Sequence, residues 1–230
     1  MTDKAKRLAA AAALELVEDG MTLGLGTGST ANFFLEGLGE KIRAGMTVRG
    51  VPTSKASEAL ALKHGVEIIT PDETTVIDLD IDGADEITPD GAIIKGGGGA
   101  LLREKIVAAA SKSFVVIADA SKRVETLGRF PLPVEVEPFA FSLTITAIRA
   151  VLREQGLSAA GLTLRTPQGG SGAFLTDGGN YVVDLALERI TDPEPLDQAL
   201  TLLPGVVTTG LFLGLNPQAL LANDQGIVAT

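Results

Sequence analysis

Short apolar runs, each followed by a polar or glycine-rich turn and a helix-period stretch, recur through the first half of the chain. Met21 to Leu25, Val48 to Val51, Val66 to Ile69, Gly91 to Lys95 and Phe114 to Ala118 read as strands. Residues 3–18, Ala31 to Ile42, Lys55 to His64 and Ala100 to Lys112 read as helices, the first an alanine-rich surface helix ended by Gly20. His64, just before Gly65, suits a helix C-terminus. Between them, Val76-Ile-Asp-Leu-Asp-Ile-Asp82 alternates, with Ile77, Leu79 and Ile81 on one face and Asp78, Asp80 and Asp82 on the other. Three adjacent carboxylates repel, so this strand is expected beside an open cleft. Repeated βα order implies right-handed crossovers and a parallel sheet.

The pattern changes at Arg129-Phe-Pro-Leu-Pro133, where two prolines mark a boundary. Beyond it the expected order is strand (134–136), helix (143–154), strand (163–165), a hairpin (172–175 with 181–187) and a helix ending at Leu203. This order suits a small α+β domain with an antiparallel, ferredoxin-like sheet. Residues 205–207 and 210–212 look like strands returning to the first domain. The predicted organisation is therefore a Rossmann-like parallel-sheet domain (1–128 plus 204–230) and a smaller α+β domain (129–203) for lid closure or oligomerisation.

Composition narrows the chemistry. The 230 residues hold no Cys and one His, which excludes disulfides, thiol catalysis and cysteine- or histidine-rich metal sites. Only 4% of residues are aromatic, so the core is built from Ala, Val, Leu and Ile, as in sheets buried on both faces. A net charge of −10 argues against nonspecific binding to nucleic acid or anionic membranes. With no apolar run of about 18 residues and no leader-like segment, a soluble, cytoplasmic protein is expected.

Polar clusters follow the predicted strands at 26–30, 52–54, 82–86, 95–104 and 119–122, where ligands of open α/β sheets bind. Gly26-Thr-Gly-Ser-Thr30 leads into a helix, a geometry that captures anions through free amides and the helix dipole. The same residues also suit a plain βα turn in which Ser29 or Thr30 caps the helix. The spacing fits neither the dinucleotide fingerprint nor the P-loop, which needs a lysine here. Gly96 to Gly99 costs about 0.5–1 kcal/mol per glycine relative to alanine, so four in a row suggest close approach to backbone. Glu104 alone is equally a helix residue favoured by the dipole, and Lys95 alone an ordinary surface lysine. Together with Asp82 and Asp85 they suit proton transfer beside a carbonyl, with a carboxylate base and lysine and amide donors for the oxyanion.

The motifs Gly24-x-Gly-Thr-Gly-Ser-Thr30, Asp82-Gly-Ala-Asp-Glu86, Lys95-Gly-Gly-Gly-Gly-Ala-Leu-x-Arg-Glu-Lys105 and Asp119-x-Ser-Lys122 resemble those of ribose-5-phosphate isomerase type A. Pro133 to Ala140, Thr176-Asp-x-Gly-Asn180 and Pro204-Gly-Val-Val207 extend the resemblance along nearly the whole chain. It departs from the family at Thr208-Thr209, where an acidic residue is common, and at Gly172-Ala173, where a proline is common.

The resemblance implies interconversion of ribose 5-phosphate and ribulose 5-phosphate in the non-oxidative pentose phosphate pathway, with no cofactor and no metal. It implies Glu104 as general base, Asp82 and Asp85 as the acidic pair on the sugar hydroxyls, and Lys95 with Gly96, Gly97 and Gly98 as the oxyanion-holding loop. Gly83 and Ala84 join the substrate contacts. Thr27, Gly28, Ser29, Thr30 and Lys122 match substrate and phosphate contacts, and Lys6 matches more weakly. A homodimer or homotetramer is implied as well. Two other classes remain open from the residues: a sugar-phosphate sensor and a CoA transferase with a glutamate nucleophile.

Overall fold

The computed structural model describes residues 3–229. In chain order it begins with α1 (Asp3–Leu14), β1 (Thr22–Leu25), α2 (Ser29–Arg43), β2 (Arg49–Pro52), α3 (Lys55–Lys63) and β3 (Glu67–Ile68). β4 (Leu79–Asp82), β5 (Glu86–Ile87), β6 (Ile93–Ile94), α4 (Leu101–Ala110) and β7 (Phe114–Asp119) follow, then a 3-10 turn (Ala120–Lys122). Next come β8 (Leu132–Val136), α5 (Phe141–Glu154), β9 (Gly161–Leu164), β10 (Tyr181–Ala186) and α6 (Pro193–Thr201). The last elements are β11 (Val206–Thr209), β12 (Leu211–Phe212), β13 (Gln218–Asn223) and β14 (Gly226–Ala229). No described helix is long and apolar enough to cross a membrane.

Two compact units result, one of Met1–Ala84, Arg103–Arg123 and Leu215–Thr230, the other of Asp85–Leu102 and Val124–Gly214. In the first, seven strands lie in the order β14-β13-β7-β4-β1-β2-β3, all parallel except β14. The chain winds outward from β1 to β3 and then returns to β4, so the winding direction reverses between β1 and β4. β1, β4 and β7 are buried along their whole lengths, which suits the apolar run of β7, whereas in β4 the burial includes Asp80 and Asp82. Leu23, Leu25, Phe34, Leu38, Ile81 and Ile117 are among the core residues.

α1 buries Ala5, Ala9, Ala10, Ala13 and Leu14, a helix-period stripe of mostly small side chains. Leu14 fills the space that a side chain on Gly37 of α2 would need. The helix stops earlier than the sequence pattern predicts: the amides of Leu16 and Val17 bond only three residues back, and Gly20 turns to Thr47. His64 takes the C-cap position of α3, as its place before Gly65 predicts.

The second unit carries a four-stranded antiparallel sheet, β11-β8-β10-β9, with α5 and α6 completing a ferredoxin-like β-α-β-β-α-β order. Its core includes Leu132, Val134, Ile148, Val183, Leu185 and Leu200. A second small sheet, β12-β6-β5, is also antiparallel.

Four expectations change here. Residues 93–94 do not extend the parallel sheet, because 83–92 is too short for a parallel crossover and instead closes a hairpin through the Thr88–Gly91 turn. β10 pairs with β9 and β8, while 172–175 forms no strand: Gly169 and Gly172 take positive φ and turn the chain away. β11 and β12 stay within the second unit, and the strands that return to the first are β13 and β14. Residues 85–102 and 204–214 accordingly group with the antiparallel sheets, whereas the proline boundary near 129 had separated them.

Candidate active site

Where the strand order reverses, β1 and β4 lie side by side, with Gly24 opposite Asp80 and Leu25 opposite Ile81. Such a reversal opens the ligand crevice of doubly wound sheets at the carboxyl ends of the two strands. Asp80 and Asp82 are fully buried at 0% exposure, not beside an open cleft. Glycine makes that burial feasible. A Cβ on Gly24 would lie 2.4 Å from Asp80 Oδ1, and one on Gly26 would lie 2.2 Å from Asp82 Oδ1.

Asp82 Oδ1 accepts the Thr27 N–H at 3.1 Å and the Gly83 N–H at 2.6 Å. The Thr27 amide therefore points inward to a carboxylate, not outward to an anion. Its hydroxyl lies 2.9 Å from that of Thr53 and 2.8 Å from that of Ser54. Gly28, at φ +128, forms the N-cap of α2 without a side-chain cap bond, so neither Ser29 nor Thr30 caps the helix. Gly28 and Ser29 are exposed, and Thr30 is buried. Gly83 and Ala84 continue from β4, both half-buried. Asp78 separates from its two neighbours. It sits at the amino end of the sheet, where the Lys112 ammonium at 2.9 Å and the Thr22 N–H hold its carboxyl below the ordinary range.

Glu104 lies in the first turn of α4 and is 3% exposed. Three residues later Val107 packs against β1, close enough that a Cβ on Gly24 would meet its Cγ1 at 2.6 Å. Residues three apart share a helix face, so Glu104 lies on the face that α4 presents to β1. Lys122 closes the 3-10 turn after β7, half-buried, while Asp119 caps that turn by accepting the Ser121 N–H.

In the second unit, Asp85 donates its amide to Ile94 O at 2.8 Å, and its Oδ2 accepts the Gly97 N–H at 2.7 Å. Lys95 is 3% exposed, its amide bonded to Gly210 O and its ammonium 5.6 Å from the Phe212 ring centroid. Burial removes the reading of Lys95 and Glu104 as ordinary solvated residues. Gly96 and Gly99 take φ of +103 and +79, and a Cβ on Gly99 would strike the Phe174 ring at 2.4 Å. Gly97 and Gly98 are exposed.

Sequence reading missed several groups. Glu86 is a buried pin whose two oxygens accept the Gly128 and Phe130 amides, each at 2.7 Å. Glu135 accepts from Thr176 Oγ1 at 2.9 Å and Asn180 Nδ2 at 2.8 Å, which accounts for the Thr176 to Asn180 motif. Arg165 and Asp184 form an ion pair that no local pattern announces. No group of three or more Asp, Glu or His that could hold a metal occurs among the described residues.

The family model for ribose 5-phosphate isomerase A (phosphoriboisomerase A) matches residues 49–226. A ribose-5-phosphate isomerase A of Bradyrhizobium diazoefficiens is 54% identical over 228 residues, covering 98% of this chain and 94% of that one. The chain belongs to the ribose 5-phosphate isomerase A family. Solved structures of that family agree over its full length. The isomerase A of Methanocaldococcus jannaschii superposes with a TM-score of 0.90 at 37% identity, covering 100% of this chain and 99% of that one. A D-ribose-5-phosphate isomerase solved in complex with phospho-erythronic acid gives a TM-score of 0.90 at 35% identity, with the same coverage.

Proposed function

We propose that the chain interconverts D-ribose 5-phosphate and D-ribulose 5-phosphate through an enediolate, as a cytoplasmic step of the non-oxidative pentose phosphate pathway. The observation that carries this reading is the buried carboxylate of Glu104 in the first turn of α4, directly after the glycine turn, in a chain of this family. The phospho-erythronic acid of the related structure is a phosphorylated sugar acid, the ligand class that the reading requires.

In the open-chain aldose, Glu104 removes the proton from C2 while negative charge develops on O1. The Lys95 ammonium and the Gly98 amide of the Gly96–Gly98 turn stabilise that oxygen, the larger electrostatic contribution to such reactions. Glu104 then returns the proton to C1. Asp85 binds the hydroxyls, assists ring opening and carries the remaining proton from O2 to O1, so atoms and charge balance. Asp82, expected on the hydroxyls as well, is fully buried and instead holds the Thr27 and Gly83 amides. Gly28, Ser29 and Thr30 at the start of α2, with Lys122, bind the phosphate end through amides, hydroxyls and charge. Thr27, Gly83 and Ala84 shape the wall around Asp82. Every step is a proton transfer, so the reading calls for no metal or cofactor.

We assign the antiparallel unit to self-association as a homodimer or homotetramer. Exposed Phe139, Leu143 and Leu202 support it, at 83%, 72% and 82% exposure. Incubating the purified protein with ribose 5-phosphate and EDTA in heavy water tests the catalytic reading. Ketose carrying solvent deuterium at C1 is expected, and absence of ketose would overturn it.

A further inference from the structure

The glycine turn is held from two sides. Arg165 Nη1 donates to Gly96 O at 2.7 Å and to Gly97 O at 3.3 Å. Its Nε donates to Asp184 Oδ2 at 2.9 Å, and Nη2 bonds the other oxygen of the same carboxylate. Both side chains are largely buried, 14% and 23% exposed. The pair is itself fixed by the sheet: the Arg165 amide bonds Val182 O, and Asp184 stands opposite Thr163.

A trans peptide is planar, with its C=O and N–H pointing in opposite directions. The peptide joining Gly96 and Gly97 is therefore gripped at both ends, its oxygen by Arg165 and its N–H by Asp85 Oδ2 at 2.7 Å. The next peptide has its oxygen toward Arg165 as well, so the Gly98 N–H points to the same side as the Gly97 N–H. Four glycines left to themselves sample both signs of φ and would scatter these amides. A planar guanidinium with five donors in a fixed fork, itself anchored to a carboxylate, imposes one arrangement.

We infer that Arg165, oriented by Asp184, is a positioning residue: it fixes the Gly96–Gly97 peptide whose N–H holds the Asp85 carboxylate, and turns the Gly98 amide toward the oxyanion developing on the substrate. This rests on the isomerase reading above. Removing one oxyanion donor outright costs about 10²–10³ in kcat. Here the Gly98 donor and the Asp85 carboxylate are misdirected, not removed, so Arg165→Ala is expected to lower kcat about 10- to 100-fold with KM within about threefold.

The test measures kcat, KM and thermal midpoint for wild type, Arg165→Ala, Arg165→Lys and Asp184→Asn with ribose 5-phosphate. Arg165→Lys keeps the charge beside Asp184 but loses the fork, and is expected to fold and to retain an intermediate kcat. Millimolar guanidinium ion, below denaturing concentrations, is expected to restore part of the kcat of Arg165→Ala and none of that of Asp184→Asn. Wild-type kcat in either Arg165 variant would overturn the inference alone, as would losses that follow the thermal midpoint with no guanidinium response. An inactive wild-type chain would overturn the isomerase reading first, and this one with it.

Discussion

The turn after β1 and the turn before α4 are both glycine-rich and both follow short apolar strands, yet they need glycine for different reasons. At Gly24 and Gly26 the space is taken by the protein's own buried carboxylates, Asp80 and Asp82. At Gly96 and Gly99 the backbone itself takes positive φ, and at Gly99 an aromatic ring closes over it. The first turn is rigid because its amides and glycines enclose acids. The second is a run of intrinsically flexible residues closed by its own Gly99 N–H to Gly96 O bond and gripped by Arg165 and Asp85 from outside. Glycine density thus marks close approach in both places, but what approaches has to be read from the three-dimensional structure.

Substituting glycines separates the two cases. Gly26→Ala puts a methyl 2.5 Å from the Asp82 Cα, backbone that cannot rotate away. It is expected to cost about 3 kcal/mol or more, or to prevent folding, as read by urea denaturation. Gly99→Ala combines left-handed strain of about 1–2 kcal/mol with the clash against the Phe174 ring. Adding Phe174→Ala should relieve the clash, so the double variant is expected to be less destabilised than the sum of the two singles. Full additivity would show that the ring does not define this turn. Gly97→Ala meets only the movable carboxylate of Asp85, 2.8 Å from the new Cβ. Stability should fall by less than about 1 kcal/mol while kcat falls about tenfold, because the carboxylate that moves is proposed to contact substrate.

The smallest effect belongs at the opposite end of the sheet. Asp78 is held below its ordinary value of 3.8, first by the Lys112 hydrogen bond and then by the Thr22 N–H. A depressed carboxylate contributes stability that is complete above the ordinary value and lost as pH falls through the lower folded one. Asp78→Asn should therefore cost about 0.5–1 kcal/mol at pH 7, with the difference from wild type vanishing in acid and kcat unchanged.

Much of this was legible in the chain. The alternation of Val76 to Asp82 marks a strand, and the burial of β1 and β7 follows from their apolar runs. Lys95, the glycines and Glu104 stand out by type and spacing. What was not legible depends on distance. Strand 93–94 reads like its parallel neighbours, and only the shortness of 83–92 forces it into a hairpin. The run at 218–223 carries no strand signature beyond four apolar residues, and becomes a strand because β7 offers it an edge. Asp80 and Asp82 look like an exposed acidic face until Gly24 and Gly26 are placed opposite them. Arg165 is 69 residues from the carbonyl it grips, so no local pattern could reveal it.

The most direct test of the account is Glu104→Gln, measured for turnover of ribose 5-phosphate and for affinity toward phospho-erythronic acid. A general base contributes about 10²–10⁴, so turnover should fall by at least 10²-fold while affinity stays within a few-fold. Turnover close to wild type in that variant would contradict Glu104 as the base that moves the proton between C2 and C1.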